Sequence, residues 1–222
     1  MLLQRVAALA ALIIVSSASA AYAQRVEVSG LFGWTLSDGV TGDPVLAGDG
    51  NLYDTVDVKD SGSWGFAVGV NATDNVEVGF LFGQQLSTMA VDGTRKLDVG
   101  DLTINTYHPY VAYNAGPLDA RVRPYFLVGL GATNYGSVSF TRTGGQASET
   151  RSATQFSTTW GAGVKVFPSP NVGVRFGMQW TPTYIKTDAE GWWCDPWFGC
   201  YVVGDAQYSN QLQFNGGIAF RF

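Results

Sequence analysis

Asn215-Gly216-Gly217-Ile218-Ala219-Phe220-Arg221-Phe222 closes the sequence with apolar side chains at alternate positions and an aromatic as the final residue. Alternation of this kind marks a β-strand whose two faces meet different surroundings, because successive side chains point to opposite sides of the backbone. Followed upstream, it sets Leu212, Phe214, Ile218, Phe220 and Phe222 against Gln211, Gln213, Asn215, Gly217 and Arg221. The stretch 171–184 repeats the pattern, with Val172, Val174, Phe176, Met178 and Trp180 on one face and Gly173, Arg175, Gly177, Gln179 and Thr181 on the other. Read this way, the chain holds eight alternating segments, at about 25–35, 63–71, 76–86, 103–114, 120–135, 155–167, 171–184 and 208–222.

The connections fall into two classes. Ala72 to Asn75, Ala115 to Leu118 and Pro168 to Pro170 are tight turns rich in Asn, Asp, Gly and Pro. Leu36 to Gly62, Ser87 to Asp101, Gly136 to Thr154 and Lys186 to Gln207 are long and polar. Short turns at one end and long loops at the other are the arrangement of a transmembrane β-barrel, with both chain ends periplasmic when the strand number is even. Segment 103–114 is the least regular, since Leu102 and Ile104 fall out of phase with Tyr107, Val111 and Tyr113. A bulge, or an extension beyond the bilayer, is expected there.

The amino terminus points the same way. Met1 to Arg5 carries one positive charge, and Val6 to Val15 is an apolar run too short to span a bilayer as a helix. Small residues follow, with Ala21-Tyr22-Ala23 as an A-x-A cleavage site before Gln24 and Ala18-Ser19-Ala20 as the alternative. No Cys lies near either site, which argues against a lipoprotein anchor. Residues 1–23 are therefore expected to be a signal peptide and 24–222, about 200 residues, a single domain. No later segment approaches the roughly 18 uncharged apolar residues of a membrane helix, so a spanning chain must span with strands.

Alternation alone also fits a soluble antiparallel barrel or sandwich whose polar face meets water. The signal segment, terminal Phe222, two loop classes and aromatics near strand ends (Trp34, Trp64, Phe167, Trp180, Tyr184), placed as interfacial girdles, favour the membrane. The expected fold is all-β, an eight-stranded antiparallel up-and-down transmembrane β-barrel. Composition agrees: 28 Gly, 14% aromatic and 14% charged residues, with a net charge of −5 that argues against a nucleic-acid partner.

Residues 24–222 resemble the small eight-stranded outer-membrane β-barrel family typified by OmpX, OmpW and the membrane domain of OmpA. Asn215, Gly217, Phe220 and Phe222 match the polar, glycine, aromatic, aromatic spacing that the barrel-assembly machinery recognises in that family. Arg123-Pro124-Tyr125-Phe126-Leu127-Val128-Gly129-Leu130-Gly131 is similar to a strand often seen among its members. The resemblance implies the bacterial outer membrane, with its lipid and lipopolysaccharide as surroundings. Because the sequence stops at Phe222, the resemblance does not carry over the cell-wall anchoring of full-length OmpA.

With apolar faces toward lipid, the lumen receives Glu27, Ser29, Glu77, Gln85, His108, Arg121, Arg123, Tyr125, Lys165, Arg175, Gln179, Gln211, Gln213 and Arg221. Two acids meet several bases. They form either a salt-bridged plug, which the narrow interior of an eight-stranded barrel favours, or a selective anion-leaning pore or proton-linked passage. Inward glycines at 33, 65, 69, 79, 83, 129, 131, 161, 163, 173 and 177 either make room for large neighbours or leave a narrow cavity.

Outside the membrane the distinctive stretch is Trp192-Trp193-Cys194-Asp195-Pro196-Trp197-Phe198-Gly199-Cys200-Tyr201. Pairing is the default for two cysteines in an exported chain, and a Cys194–Cys200 disulfide would close a ring worth about 2.4 kcal/mol on the chain-entropy estimate. Trp192, Trp193, Trp197, Phe198 and Tyr201 would then form a stapled aromatic surface. It would suit a host protein, a glycan or a neighbouring barrel, or pack on itself at the membrane interface. A metal site is less expected than a disulfide, since two Cys without nearby His lack the usual four ligands. Asp38, Asp43, Asp49, Asp54, Asp57 and Asp60 read as a solvated acidic loop rather than a calcium loop, since they lack EF-hand spacing and its closing Glu.

Lipid-modifying barrels need a His with a Ser or acid partner near the membrane surface. The sole His108 lies within a strand beside Pro109, and no G-x-S-x-G elbow is present. The expected function is that of a non-enzymatic barrel without cofactor, displaying long loops for envelope integrity or surface interaction. A small-solute, porin-like channel is the alternative, and a lipid-modifying enzyme the third reading.

Overall fold

A computed structural model describes residues 25–46, 52–141, 147–149, 151–185, 194–195, 199–200 and 207–222. The expected signal segment 1–23 lies outside the described residues. The strands are β1 (Val26–Ser37), β2 (Val40–Leu46), β3 (Leu52–Val58), β4 (Ser61–Asn71), β5 (Val76–Gly93), β6 (Leu97–Asn114), β7 (Val122–Tyr135), β8 (Ser139–Thr141), β9 (Ala147–Glu149), β10 (Ala153–Val166), β11 (Val172–Ile185), β12 (Cys194–Asp195), β13 (Gly199–Cys200) and β14 (Gln207–Arg221). Eight of them, β1, β4, β5, β6, β7, β10, β11 and β14, close a barrel in chain order, each antiparallel to its neighbours, with β14 returning to β1. The closing seam pairs Glu27 with Arg221 and Ser37 with Gln211, and the Phe222 amide donates to the Val26 carbonyl at 2.9 Å.

Alternation sorts the wall as expected for a chain in lipid. Large apolar side chains stay outside, among them Phe32 at 71% exposure and Phe222 at 62%, while Glu27, Arg123 and Lys165 are buried. A water-soluble protein does not turn a continuous belt of Trp, Phe and Val outward. In hydrocarbon that arrangement is favourable, and closure leaves no unpaired strand edge around the barrel wall. Indole N–H groups find acceptors: Trp64 donates to Gln84 at 3.0 Å and Trp180 to Asn210 at 3.2 Å. Phe82 gathers Trp64, Phe66 and Tyr107 with centroids 5.4–5.7 Å apart. Phe167, expected among the outward girdle aromatics, is instead 3% exposed on the lumen side. It shares parity with inward Lys165, which decides its direction.

The short turns are chemically explicit. Thr73 Oγ accepts the Val76 amide at 3.0 Å, Ser169 Oγ accepts the Val172 amide at 3.1 Å, and Gly116 adopts φ +91°, a left-handed conformation that costs glycine little. The long connections contain more strand than expected. Segment 36–62 holds the β2–β3 hairpin, which pairs onto the outer part of β5. Segment 87–101 is mostly the upper half of β5 and β6, whose register shifts once, between Met89 and Ala90. Their apolar residues explain this: Leu102 and Ile104 point inward with His108 and join Val40, Val58, Tyr135, Val138 and Ile185 in a cluster that fills the extracellular end. The irregular phase of this segment is thus an extension of the barrel, and no register shift falls between Gly100 and Tyr113 on the β5 side.

Some of the inward glycines face large rings, whereas at Gly33, Gly65 and Gly131 an added Cβ would first meet the backbone carbonyl of the neighbouring strand. A Cβ on Gly79 would come 2.7 Å from the Tyr110 ring, one on Gly163 2.7 Å from the Tyr125 hydroxyl, and one on Gly173 2.6 Å from the Phe167 ring. Each aromatic therefore reaches wall that carries no side chain at that point. We expect Gly79→Ala to destabilise the refolded barrel by about 1–3 kcal/mol in urea unfolding, as overpacking does. The same substitution in a Tyr110→Ala background should keep the part of the cost due to the Val68 carbonyl, which is the nearer contact, and lose the part due to the ring; an equal cost in both would show that the ring is not what the glycine serves.

Candidate functional site

The lower lumen is a side-chain network built from strands on opposite walls. Lys165 Nζ on β10 lies 2.6 Å from Glu27 Oε1 on β1 and 2.6 Å from Glu77 Oε2 on β5. Glu77 also accepts from the Tyr110 hydroxyl at 2.6 Å and the Asn114 amide at 3.1 Å. Glu27 accepts from Arg221 Nε at 3.3 Å, so the backbone partners that close the barrel are also an ion pair. Arg175 Nε donates to the Tyr125 hydroxyl at 3.0 Å and stacks 4.5 Å over that ring. Arg123, fully buried, donates to the Asp74 carbonyl.

Of the expected lumen charges, Glu27, Glu77, Arg123, Lys165, Arg175 and Arg221 are buried together at this periplasmic end. Arg121 is not: it precedes β7, in the connection from β6, and its side chain is exposed at the rim. Parity would have turned it inward only if the strand had begun sooner. Tyr110 and Asn114 were missed as members, although both share the parity of His108 on β6. Phe167 was missed because it was assigned to the wrong face; its ring lies 3.3 Å beneath the Arg221 guanidinium.

Above the charges, Leu31, Ala67, Leu81, Tyr110, Ala112, Tyr125 and Leu127 form a buried apolar tier. Next comes an amide and hydroxyl tier, in which Gln211 donates to Gln85 at 3.1 Å, Gln213 to Ser63 at 2.7 Å and Thr35 to Ser63 at 2.9 Å. A cavity of about 30 Å³ remains there, lined in part by Thr106, Gln179 and Thr181, with room for one or two waters. His108, 0% exposed, meets Ser157 Oγ through Nε2 at 2.9 Å, and Thr133 and Thr183 continue the chain at 2.9 and 3.1 Å. Its Nδ1 has no hydrogen-bond partner among the described residues. The apolar extracellular cluster lies over this tier.

On the extracellular face Lys59 pairs with Asp98 at 2.6 Å and Lys96 with Asp57 at 2.5 Å, joining β3 and its following turn to the β5–β6 hairpin. Asp57 beside Lys96 raises the ammonium pKa above its ordinary value. Of the expected acidic loop, Asp60 accepts the Ser37 amide at 2.9 Å and Asp54 the Thr55 hydroxyl at 3.0 Å. Among the described residues no group of His, Cys, Asp or Glu is placed to hold a metal ion. Trp192, Trp193, Trp197, Phe198 and Tyr201 lie outside the described residues, as do the side chains of Cys194 and Cys200. The backbones of those two cysteines are cross-strand partners. Asn215 and Gly217 face the lumen side of β14, whereas Phe220 and Phe222 face lipid.

Glu77→Gln should cost about 3–5 kcal/mol in urea unfolding, because it removes one of the two carboxylates beside the buried Lys165 charge. Adding Lys165→Met should recover part of that loss. Strict additivity of the two substitutions would show that the contact is not coupled.

Residues 6–222 match the family model described as outer membrane protein beta-barrel domain. OprG from Pseudomonas aeruginosa is similar in structure, with a TM-score of 0.58 at 14% identity over 90% of this chain and 97% of that one. Neisserial surface protein A gives 0.51 at 14% identity over 90% and 99%, and the outer membrane protease OmpT from Escherichia coli 0.50 at 11% over 89% and 96%. Such identities show the fold alone. No curated protein sequence matches the chain. With the family model spanning nearly all of the sequence and its eight strands closed around a polar interior, the chain belongs to the outer membrane protein beta-barrel domain family and resides in the bacterial outer membrane.

Proposed function

We propose that the protein is a non-enzymatic integral outer-membrane barrel that displays its extracellular strands and loops for envelope integrity or surface interaction. The observation that carries this reading is the lumen, filled by its own side chains in four tiers from the periplasmic charges to the extracellular apolar cluster. Among the described residues, the cavity at the central amides has only about 30 Å³, which supports a barrel whose outer wall and loops, rather than its lumen, do the work. The likeness to a protease shows that the fold by itself decides nothing about catalysis. What supports a non-enzymatic reading is the burial of His108, whose Ser157 partner is equally enclosed and whose Nδ1 meets no carboxylate among the described residues. A Ser–His pair needs substrate access and an orienting group.

In this reading residues 1–23 direct export, and Asn215, Gly217, Phe220 and Phe222 present the assembly signal to the barrel-assembly machinery. The aromatic stretch Trp192 to Tyr201 forms the contact surface for a surface ligand or protein. The pairing of Cys194 with Cys200 across β12 and β13 supports a disulfide at its base.

The purified chain from Gln24 to Phe222, folded as judged by heat-modifiable gel mobility, should show no discrete conductance steps in a planar lipid bilayer. Reproducible steps with anion selectivity would overturn the sealed reading in favour of a narrow channel. Thiol titration of the unreduced, denatured protein should find no free sulfhydryl, and two would remove the staple.

A further inference from the structure

The periplasmic rim carries a pocket that lumen packing does not require. It has a volume of about 230 Å³ and lies between the β6–β7 connection and the β10–β11 turn, with Phe167, Pro168 and Pro170 as its apolar wall. Three charged groups line it: Arg121, Arg221 and Asp119. Arg221 is held in place from three sides. Its guanidinium rests on the Phe167 ring, Nε meets Glu27, and Nη1 donates to the Leu118 carbonyl at 2.8 Å, while Nη2 has no hydrogen-bond partner among the described residues. Arg121 is exposed and forms no ion pair among the described residues.

Charge balance favours an anion at this end. Four buried cations (Arg123, Lys165, Arg175, Arg221) share the lower lumen with two buried carboxylates, Glu27 and Glu77. Arg123 likewise keeps Nε and Nη1 without hydrogen-bond partners among the described residues. Guanidinium groups meet the oxygens of a phosphate through paired N–H donors, and such contacts are the strong members of their class. A free polyanion would be opposed by Asp119, whereas a headgroup that also carries an ammonium has a use for that carboxylate.

Depth in the membrane supplies the second argument. Arg121 is followed directly by Val122, 55% exposed on the lipid face, and Arg221 by Phe222, 62% exposed. The pocket therefore lies where the apolar belt begins, at the level of the periplasmic leaflet's headgroups. We infer that this rim pocket holds the headgroup of one zwitterionic phospholipid of the periplasmic leaflet, with its phosphate on Arg121 and Arg221 and its ammonium toward Asp119. From this pocket at the barrel mouth the acyl chains pass beneath the start of β7 to reach the lipid face at Val122.

Native mass spectrometry of the folded full chain released from micelles containing phosphatidylethanolamine tests this. One phosphatidylethanolamine should be retained, and Arg121→Ala should weaken retention by about tenfold or more. Asp119→Asn should weaken retention of phosphatidylethanolamine while sparing phosphatidylglycerol, which has no ammonium. Both substitutions are exposed and lie outside the strands, so folding is verifiable by mobility on heating. Retention unchanged in Arg121→Ala would overturn the site. Displacement of the lipid by equimolar inorganic phosphate would overturn the lipid in favour of a free anion.

Discussion

Lys165 reaches across the barrel. Its strand, β10, lies three places along the wall from β1 in one direction and three from β5 in the other, yet its ammonium touches carboxylates from both. That contact is available only because an eight-stranded barrel is narrow enough for side chains of opposite walls to meet. It also makes the charges tolerable, since a buried ion costs several kcal/mol unless its partners are present and hydrogen-bonded. Tyr110, Asn114 and Arg221 supply the remaining bonds to the two carboxylates. The network therefore requires β1, β5, β6, β10 and β14 to be assembled before it is satisfied, which ties barrel closure to charge pairing.

The glycines belong to the same constraint. A tube this narrow cannot hold Tyr110, Tyr125 and Phe167 beside four buried cations unless part of the wall is bare. Gly69 and Gly79 make space for Tyr110, and Gly163 and Gly177 for Tyr125. Removing a side chain lowers strand preference locally, but the ring that fills the space adds aromatic burial and a hydroxyl that reaches the charges. Glycine in the wall and tyrosine in the lumen are two halves of one packing solution.

Strands β11 and β14 were legible because each alternates without interruption and meets a simple two-sided environment, lipid against lumen. The upper half of β6 was not, since above the amide tier its inward face becomes apolar too, and Leu102 and Ile104 then look out of phase with the lipid-facing residues. The β2–β3 hairpin escaped for a related reason. It is rich in Asp, Thr and Gly, which read as loop, and it becomes strand by pairing with an edge that β5 supplies at long range. In the lower lumen, parity placed Glu27, Glu77, Lys165 and Arg175, but it could not say that Arg121 falls before its strand starts. Nor could it say which glycine faces which ring, because those contacts join strands distant along the chain.

The extended hairpin bears on display. Strands β5 and β6 are each 18 residues long, against roughly 9–11 needed to cross a bilayer. Their surplus stands outside the membrane as paired strand, roofed within by Val40, Val58 and Ile104 and braced at its surface by Lys59 with Asp98 and Lys96 with Asp57. Exposed ion pairs hold little by themselves, so the apolar cluster does most of the fastening. A surface presented on such a platform surrenders less conformational freedom on contact than one carried by an unsupported loop, and more of its contact energy appears as affinity. The residues that fill the extracellular end of the lumen are thus the same ones that stiffen the paired strands beyond the membrane, so the proposed display of a surface asks nothing of this sequence that the packing of its barrel does not already supply.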